Sequence, residues 1–207
     1  MNNITYILRI ICNNLRIPVM IILLVMVALT VLLAGSIVTE ILLERRHLKV
    51  CMPKMVDEIF DCKGDLEGCI QNSGLLKDQK EVLIEVTRHK EIPDQAREAL
   101  AVRLLAQIRE KYDLKIKISD LIIKLGPALG LLGTLIPLGP GIIALGKGDV
   151  LLLSQSLLTA FDTTITGLSC AAVATVISTI RKRWYTEYMS ILETLMETVV
   201  EAEKNEK

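Results

Sequence analysis

The sequence predicts an all-α integral membrane protein with three transmembrane helices and long helices that extend into a cytoplasmic helical stalk. Three observations predict this class. First, 51% of the 207 residues are hydrophobic although 23% are charged. Second, the charges are segregated from three long apolar segments, which contain one acidic residue between them, Asp162. Third, each segment is long enough as a helix to cross the ~30 Å hydrocarbon core of a bilayer.

The first apolar segment, Val19–Val38, contains no charged residue. The alternative is a secretory signal peptide, whose apolar core is usually ~7–15 residues long and ends at a small-residue cleavage site. Ala34, Gly35 and Ser36 supply small residues. We nevertheless favour an uncleaved span, because the apolar run is longer and continues into a charged helical segment.

Residues 1–17 precede this span and carry Ile4, Ile7, Leu8 and Ile11 at helical spacing. This pattern predicts an amphipathic helix that lies on the outer leaflet. Proline disrupts a helix interior, so an interruption is expected at Pro18. A frayed terminus is the alternative.

The second apolar segment, Leu125–Gly146, is rich in glycine and proline. In water such a helix would be poor, since Gly costs ~1 kcal/mol and Pro ~3 kcal/mol in a helix interior. A membrane enforces the helix, because open backbone groups find no water there. Small residues allow close helix packing, which we expect at Gly130 and Gly133. Pro137 and Pro140 predict a kink.

The third apolar segment, Leu157–Ile180, follows the short glycine-containing connection GKGDV. The short connection makes the second and third helices antiparallel neighbours. One predicted face of the third helix is polar, with Thr159, Asp162, Thr163, Thr166, Ser169 and Cys170. A second face of small residues, including Gly167 and Ala171, is suited to packing.

The polar face has two interpretations. Polar groups inside a membrane usually face a cavity or a partner, because an aspartate at mid-bilayer costs ~2.5–3.5 kcal/mol. Alternatively, Asp162 is hydrated near the outer interface, and the hydroxyls bond back to their own helix.

The distribution of basic residues predicts the orientation. Only Arg9, Arg16 and Lys147, of 24 lysines and arginines, fall on one side of the three spans. Since Lys and Arg mark the cytoplasmic side, the N-terminus is expected outside the cell membrane and the C-terminus inside. The predicted divisions are residues 1–17 on the outer face, 18–43 as the first span, 44–120 as the cytoplasmic region, 121–183 as the second and third spans, and 184–207 as a cytoplasmic helix.

Several function classes find no support in the sequence. There is no phosphate-binding loop and no nucleophile–base pair, so an enzyme is not expected. No basic patch with interleaved aromatic residues indicates nucleic-acid binding. The five cysteines are irregularly spaced, which argues against a metal site, and cysteines placed in the cytoplasm are expected to be reduced.

Two motifs resemble the MotA/TolQ/ExbB proton channel family. They are GLLGTLIPLG in residues 130–139 and LLTAFDTTITGLSCAAVATVIS in residues 157–178, followed by Arg181. The resemblance covers about the last 90 residues. The three-span layout with an external N-terminus is most similar to the ExbB and TolQ branch.

The resemblance implies a proton-conducting subunit of an energy-transducing complex, which assembles as a pentamer around a single-span partner of the ExbD, TolR or MotB type. It implies that Thr134 and Thr164 are pore threonines and that the proton-carrying aspartate belongs to the partner. No cofactor is implied, and the conducted ion is the proton, with sodium as the alternative. The family's glutamate position is Thr159 here, and Asp162 lies nearby. A non-conducting membrane scaffold that recruits cytoplasmic partners is the alternative function, and the driven process stays open.

Overall fold

The computed structural model describes residues 2–44, 66–88 and 93–205. Helix α1 spans Asn2–Thr39 and passes into a π-helical turn, Glu40–Glu44. The short helices α2, Leu66–Asn72, and α3, Lys77–Arg88, follow. Two long helices complete the chain, α4 at Asp94–Gly146 and α5 at Val150–Asn205.

The predicted fold class is confirmed: the described residues are helical apart from short connections and contain no strand. Three helical segments are long and apolar enough to cross a membrane, Tyr6–Leu42, Gln95–Gly146 and Val150–Glu201. At 1.5 Å per residue, α4 and α5 are each about 80 Å long, well beyond the ~30 Å of a hydrocarbon core. The expectation that the third span continues as a helix beyond Trp184 is also confirmed.

The expected interruption at Pro18 is wrong, because α1 runs through this residue. Proline removes one backbone hydrogen bond, and packing can offset this loss. Directly after Pro18, Val19, Leu23 and Met26 are buried against residues of α4 and α5. Helix α4 likewise continues through Pro127, Pro137 and Pro140, and the kink at the last two stays a prediction.

The chain divides into two compact units. Unit 1 comprises Met1–Ser36 and Lys117–Thr179. Its core contains Ile122 of α4 and Cys170 and Ala174 of α5, packed against α1. Many of its remaining aliphatic side chains are exposed, which is expected of a surface that meets lipid.

Unit 2 comprises Ile37–Ile116 and Ile180–Lys207. Its fully buried side chains include Leu83 of α3 and Leu192 and Leu195 of α5. Gln79, also fully buried, donates from Nε2 to the carbonyl oxygen of Tyr188 at 3.2 Å. The apolar seam of the C-terminal helix is therefore covered by the chain itself, where the sequence left its partner open.

One cysteine corrects an expectation. Cys69 is disulfide-bonded, whereas a reduced thiol was expected. Irregular spacing did not exclude this, because a disulfide requires two Cα atoms roughly 4.4–6.8 Å apart in space, at any separation along the chain. Cys12 and Cys170 are free, and Cys51 and Cys62 lie outside the described residues.

Candidate functional site

The connection between α4 and α5 makes them antiparallel neighbours in unit 1. Gly148 has φ of +75°, which an L side chain rarely adopts. Asp149 then caps α5, since its Oδ1 accepts a hydrogen bond from the amide of Leu152 at 3.0 Å. The turn chemistry of GKGDV therefore starts the return helix beside α4.

Glycines bring the two helix backbones into direct contact. A Cβ added at Gly126 would lie 2.6 Å from the carbonyl oxygen of Gly167 and 3.1 Å from the Cβ of Ala171. A Cβ at Gly133 would lie 2.6 Å from the Cβ of Thr163. At Gly130 the nearest atom would be the Cα of Thr164, 3.3 Å away. All four residues expected to pack, Gly130, Gly133, Gly167 and Ala171, thus lie at this contact.

The threonine hydroxyls form two kinds of hydrogen bond. Thr164 Oγ1 donates across the helix pair to the carbonyl oxygen of Gly130 at 3.3 Å. The other hydroxyls bond back to their own helix, with Thr134 to Leu131, Thr159 to Gln155, Thr163 to Ala160, and Thr166 to Asp162. A hydroxyl that donates in this way keeps lone pairs that can accept from water.

The predicted polar face of α5 is divided by burial. Asp162 and Ser169 are exposed, whereas Thr163 and Cys170 are buried. Thr159, Thr164 and Thr166 are half-buried, as is Thr134 on α4. The structure therefore places Thr163 against Gly133 inside the helix pair, and Asp162 on its outer surface.

A polar pair that the sequence analysis did not single out joins the same two helices. Ser178 Oγ donates to Asp120 Oδ1 at 2.6 Å. Ser178 is 2% exposed and Asp120 is half-buried. The sequence analysis counted Asp120 as the last residue of the charged block and so missed that it belongs to unit 1. Among the described residues, no three His, Cys, Asp or Glu side chains form a group that could hold a metal ion.

Comparison with known proteins bears on this helix pair. No curated protein matches the chain. The sequence profile of the MotA/TolQ/ExbB proton channel family matches residues 70–194, which include α3, most of α5 and all of α4. This match begins well before the region in which the two motifs were recognised. Since it covers more than half of the sequence, the chain belongs to the MotA/TolQ/ExbB proton channel family.

Proposed function

We propose that the chain is a membrane subunit of an energy-transducing complex driven by the proton-motive force. In this proposal α4 and α5 form the wall of a proton path around a single-span partner, and five copies surround that partner. The observation that carries it is the family match across both helices, together with Thr134 and Thr164 at their contact. The partner supplies the proton-binding aspartate, and this chain supplies hydroxyls and Asp162.

Conduction gives the first test. We expect Thr164→Ala to lower partner-dependent proton flux about fivefold, because a hydroxyl hydrogen bond is worth ~1 kcal/mol and ~1.4 kcal/mol corresponds to tenfold. Asp162→Asn, at an exposed position, is expected to lower flux without loss of assembly. The measurement is dye-reported proton entry into liposomes that hold the complex purified through a tag on this chain.

Matched controls separate function from packing. Thr164→Ser keeps the hydroxyl and should conduct like the wild type. Thr179→Ala removes an exposed hydroxyl that donates to the carbonyl oxygen of Thr175 and should change nothing. Wild-type flux in both Thr164→Ala and Asp162→Asn would refute their roles, whereas a wild-type complex that conducts no protons would refute the function.

The scaffold alternative is favoured by a specific surface in unit 2. An open groove of about 500 Å³ between α4 and α5 has an apolar floor that includes Val102 and Met196. Four glutamates line it, Glu98, Glu193, Glu197 and Glu201. This chemistry fits a cationic amphipathic segment of a cytoplasmic partner. Absence of proton flux in the purified complex would favour this second function.

We also propose that the N-terminus lies outside the membrane, on the strength of the positive-inside pattern. The disulfide at Cys69 argues in the other direction, since disulfides are rare in a reducing cytosol. The free, exposed Cys12 decides between the two orientations. A membrane-impermeant maleimide should label it in intact cells, and Cys12→Ser should abolish the label. Labelling that persists in the variant would place the charged block outside.

A further inference from the structure

The Asp120–Ser178 pair repeats the positions of Thr134 and Thr164 further along the helix pair. Asp120 lies 14 residues before Thr134 on α4, and Ser178 lies 14 residues after Thr164 on α5. Because the helices are antiparallel, both steps run in the same direction. At 3.6 residues per turn, 14 residues are about four turns, so each pair of residues shares one helix face about 21 Å apart.

The register of the observed contacts supports this correspondence. Gly126 lies opposite Ala171, Gly130 opposite Thr164, and Gly141 opposite Ser156. The opposing residues therefore shift by nearly equal steps along both helices. Ser178 and Asp120 continue the series, and their side chains hydrogen-bond at 2.6 Å.

The chemistry of this second pair differs from that of the first. Thr134 and Thr164 carry hydroxyls, which relay protons but do not titrate near neutral pH. Asp120 carries a carboxylate, which can hold a proton. The adjacent Ser119 is fully buried, and its hydroxyl has no hydrogen-bond partner in the structure, which marks this level of the helix pair as polar.

We propose that Asp120, reached through Ser178, is the proton acceptor at the cytoplasmic end of the path. Ser178 Oγ passes its hydroxyl proton to Asp120 Oδ1 and takes another proton from the side of Thr164. Asp120 then releases its proton to cytoplasmic water, which restores the starting state. This inference rests on the proposed function and names a group in this chain that binds the transported proton.

Isosteric variants test the acceptor. Asp120→Asn keeps the shape and a carbonyl oxygen that accepts from Ser178, but it binds no proton. We expect this variant to lower flux through the native complex in liposomes by about tenfold or more under an imposed pH gradient, since a positioned proton-transfer group typically contributes 10²–10⁴-fold. Asp120→Glu and Ser178→Thr keep the chemistry and should conduct within about threefold of the wild type, while Ser178→Ala should not.

Asp113→Asn is the matched control, because Asp113 lies on the same helix and is exposed. It should leave flux unchanged. Equal flux in Asp120→Asn and Asp113→Asn would overturn the inference while wild-type conduction left the proposed function standing. Loss of flux accompanied by an equal loss in Asp120→Glu and a lower melting temperature would also overturn it, since a structural tie would then explain the effect. A wild-type complex without flux would refute the proposed function itself.

Discussion

Alanine in place of Gly167 is expected to destabilise the protein more than any other single-methyl addition in the two long helices. A Cβ built on Gly167 would collide with the carbonyl oxygen of Gly126 and lie 3.1 Å from the Cα of Gly130. Both neighbours are backbone atoms, so no side chain can rotate to make room. Overpacking of this kind typically costs ~1–3 kcal/mol.

The intrinsic effect of the substitution has the opposite sign. Alanine is favoured over glycine in a helix interior by ~1 kcal/mol, so the unfavourable contact must exceed this gain. The α4–α5 contact also holds Thr164 against Gly130, so separation of the helices would break that hydrogen bond. We therefore expect Gly167→Ala to lower the melting temperature by roughly 5 °C in detergent and to reduce proton flux.

Gly139→Ala is the matched control for Gly167→Ala. Gly139 lies within α4, and nothing lies within 4 Å of an added Cβ. This variant should melt at or above the wild-type temperature. If both variants melted together, α4 and α5 would not approach as closely as the structure indicates.

The close contact also shows how far the sequence could predict the site. Glycines without charges between them predicted tight packing in a membrane, and Gly130, Gly133 and Gly167 do lie at the contact. Gly126 makes one of the tightest approaches and was not singled out. Composition does not give the register of two helices, because the geometry of the Gly148 turn and the packing set it.

The same reason explains why Asp120 was missed. Its neighbours in the sequence are charged, so it was assigned to the cytoplasmic block. Only the pairing of α4 with α5 brings Ser178 to within 2.6 Å. Pro18 shows the complementary limit, since a local rule predicted an interruption and the burial of Val19 and Leu23 overrode it.

Removal of the Glu40 carboxylate is expected to produce the largest loss of stability in unit 2. Glu40, in the π-helical turn after α1, accepts from Arg181 Nε at 3.1 Å and from the distal guanidinium at 3.3 Å. The hydroxyl of Tyr185 donates to the same carboxylate at 3.3 Å. The side chains of Arg181 and Glu40 are only 4% and 14% exposed.

Burial, more than distance, sets the size of this effect. Glu40→Ala leaves the buried guanidinium without this carboxylate, and breaking a buried ion pair typically costs ~3–5 kcal/mol. Glu193→Ala is the control, because Glu193 pairs with Arg109 at a shorter 2.7 Å but both side chains are well exposed, at 44% and 61%. Exposed pairs contribute only ~0–1 kcal/mol, so this control should be nearly neutral.

A double variant separates the cost of an unpaired charge from the value of the pair. Glu40→Leu with Arg181→Met replaces both charges by apolar side chains, and such replacements of buried pairs are often neutral or stabilising by ~1–4 kcal/mol. We therefore expect the double variant to unfold at higher denaturant than Glu40→Ala, measured by unfolding in mixed micelles. A double variant as unstable as Glu40→Ala would mean that the carboxylate stabilises unit 2 through Tyr185, whose hydroxyl would lose its acceptor in both proteins.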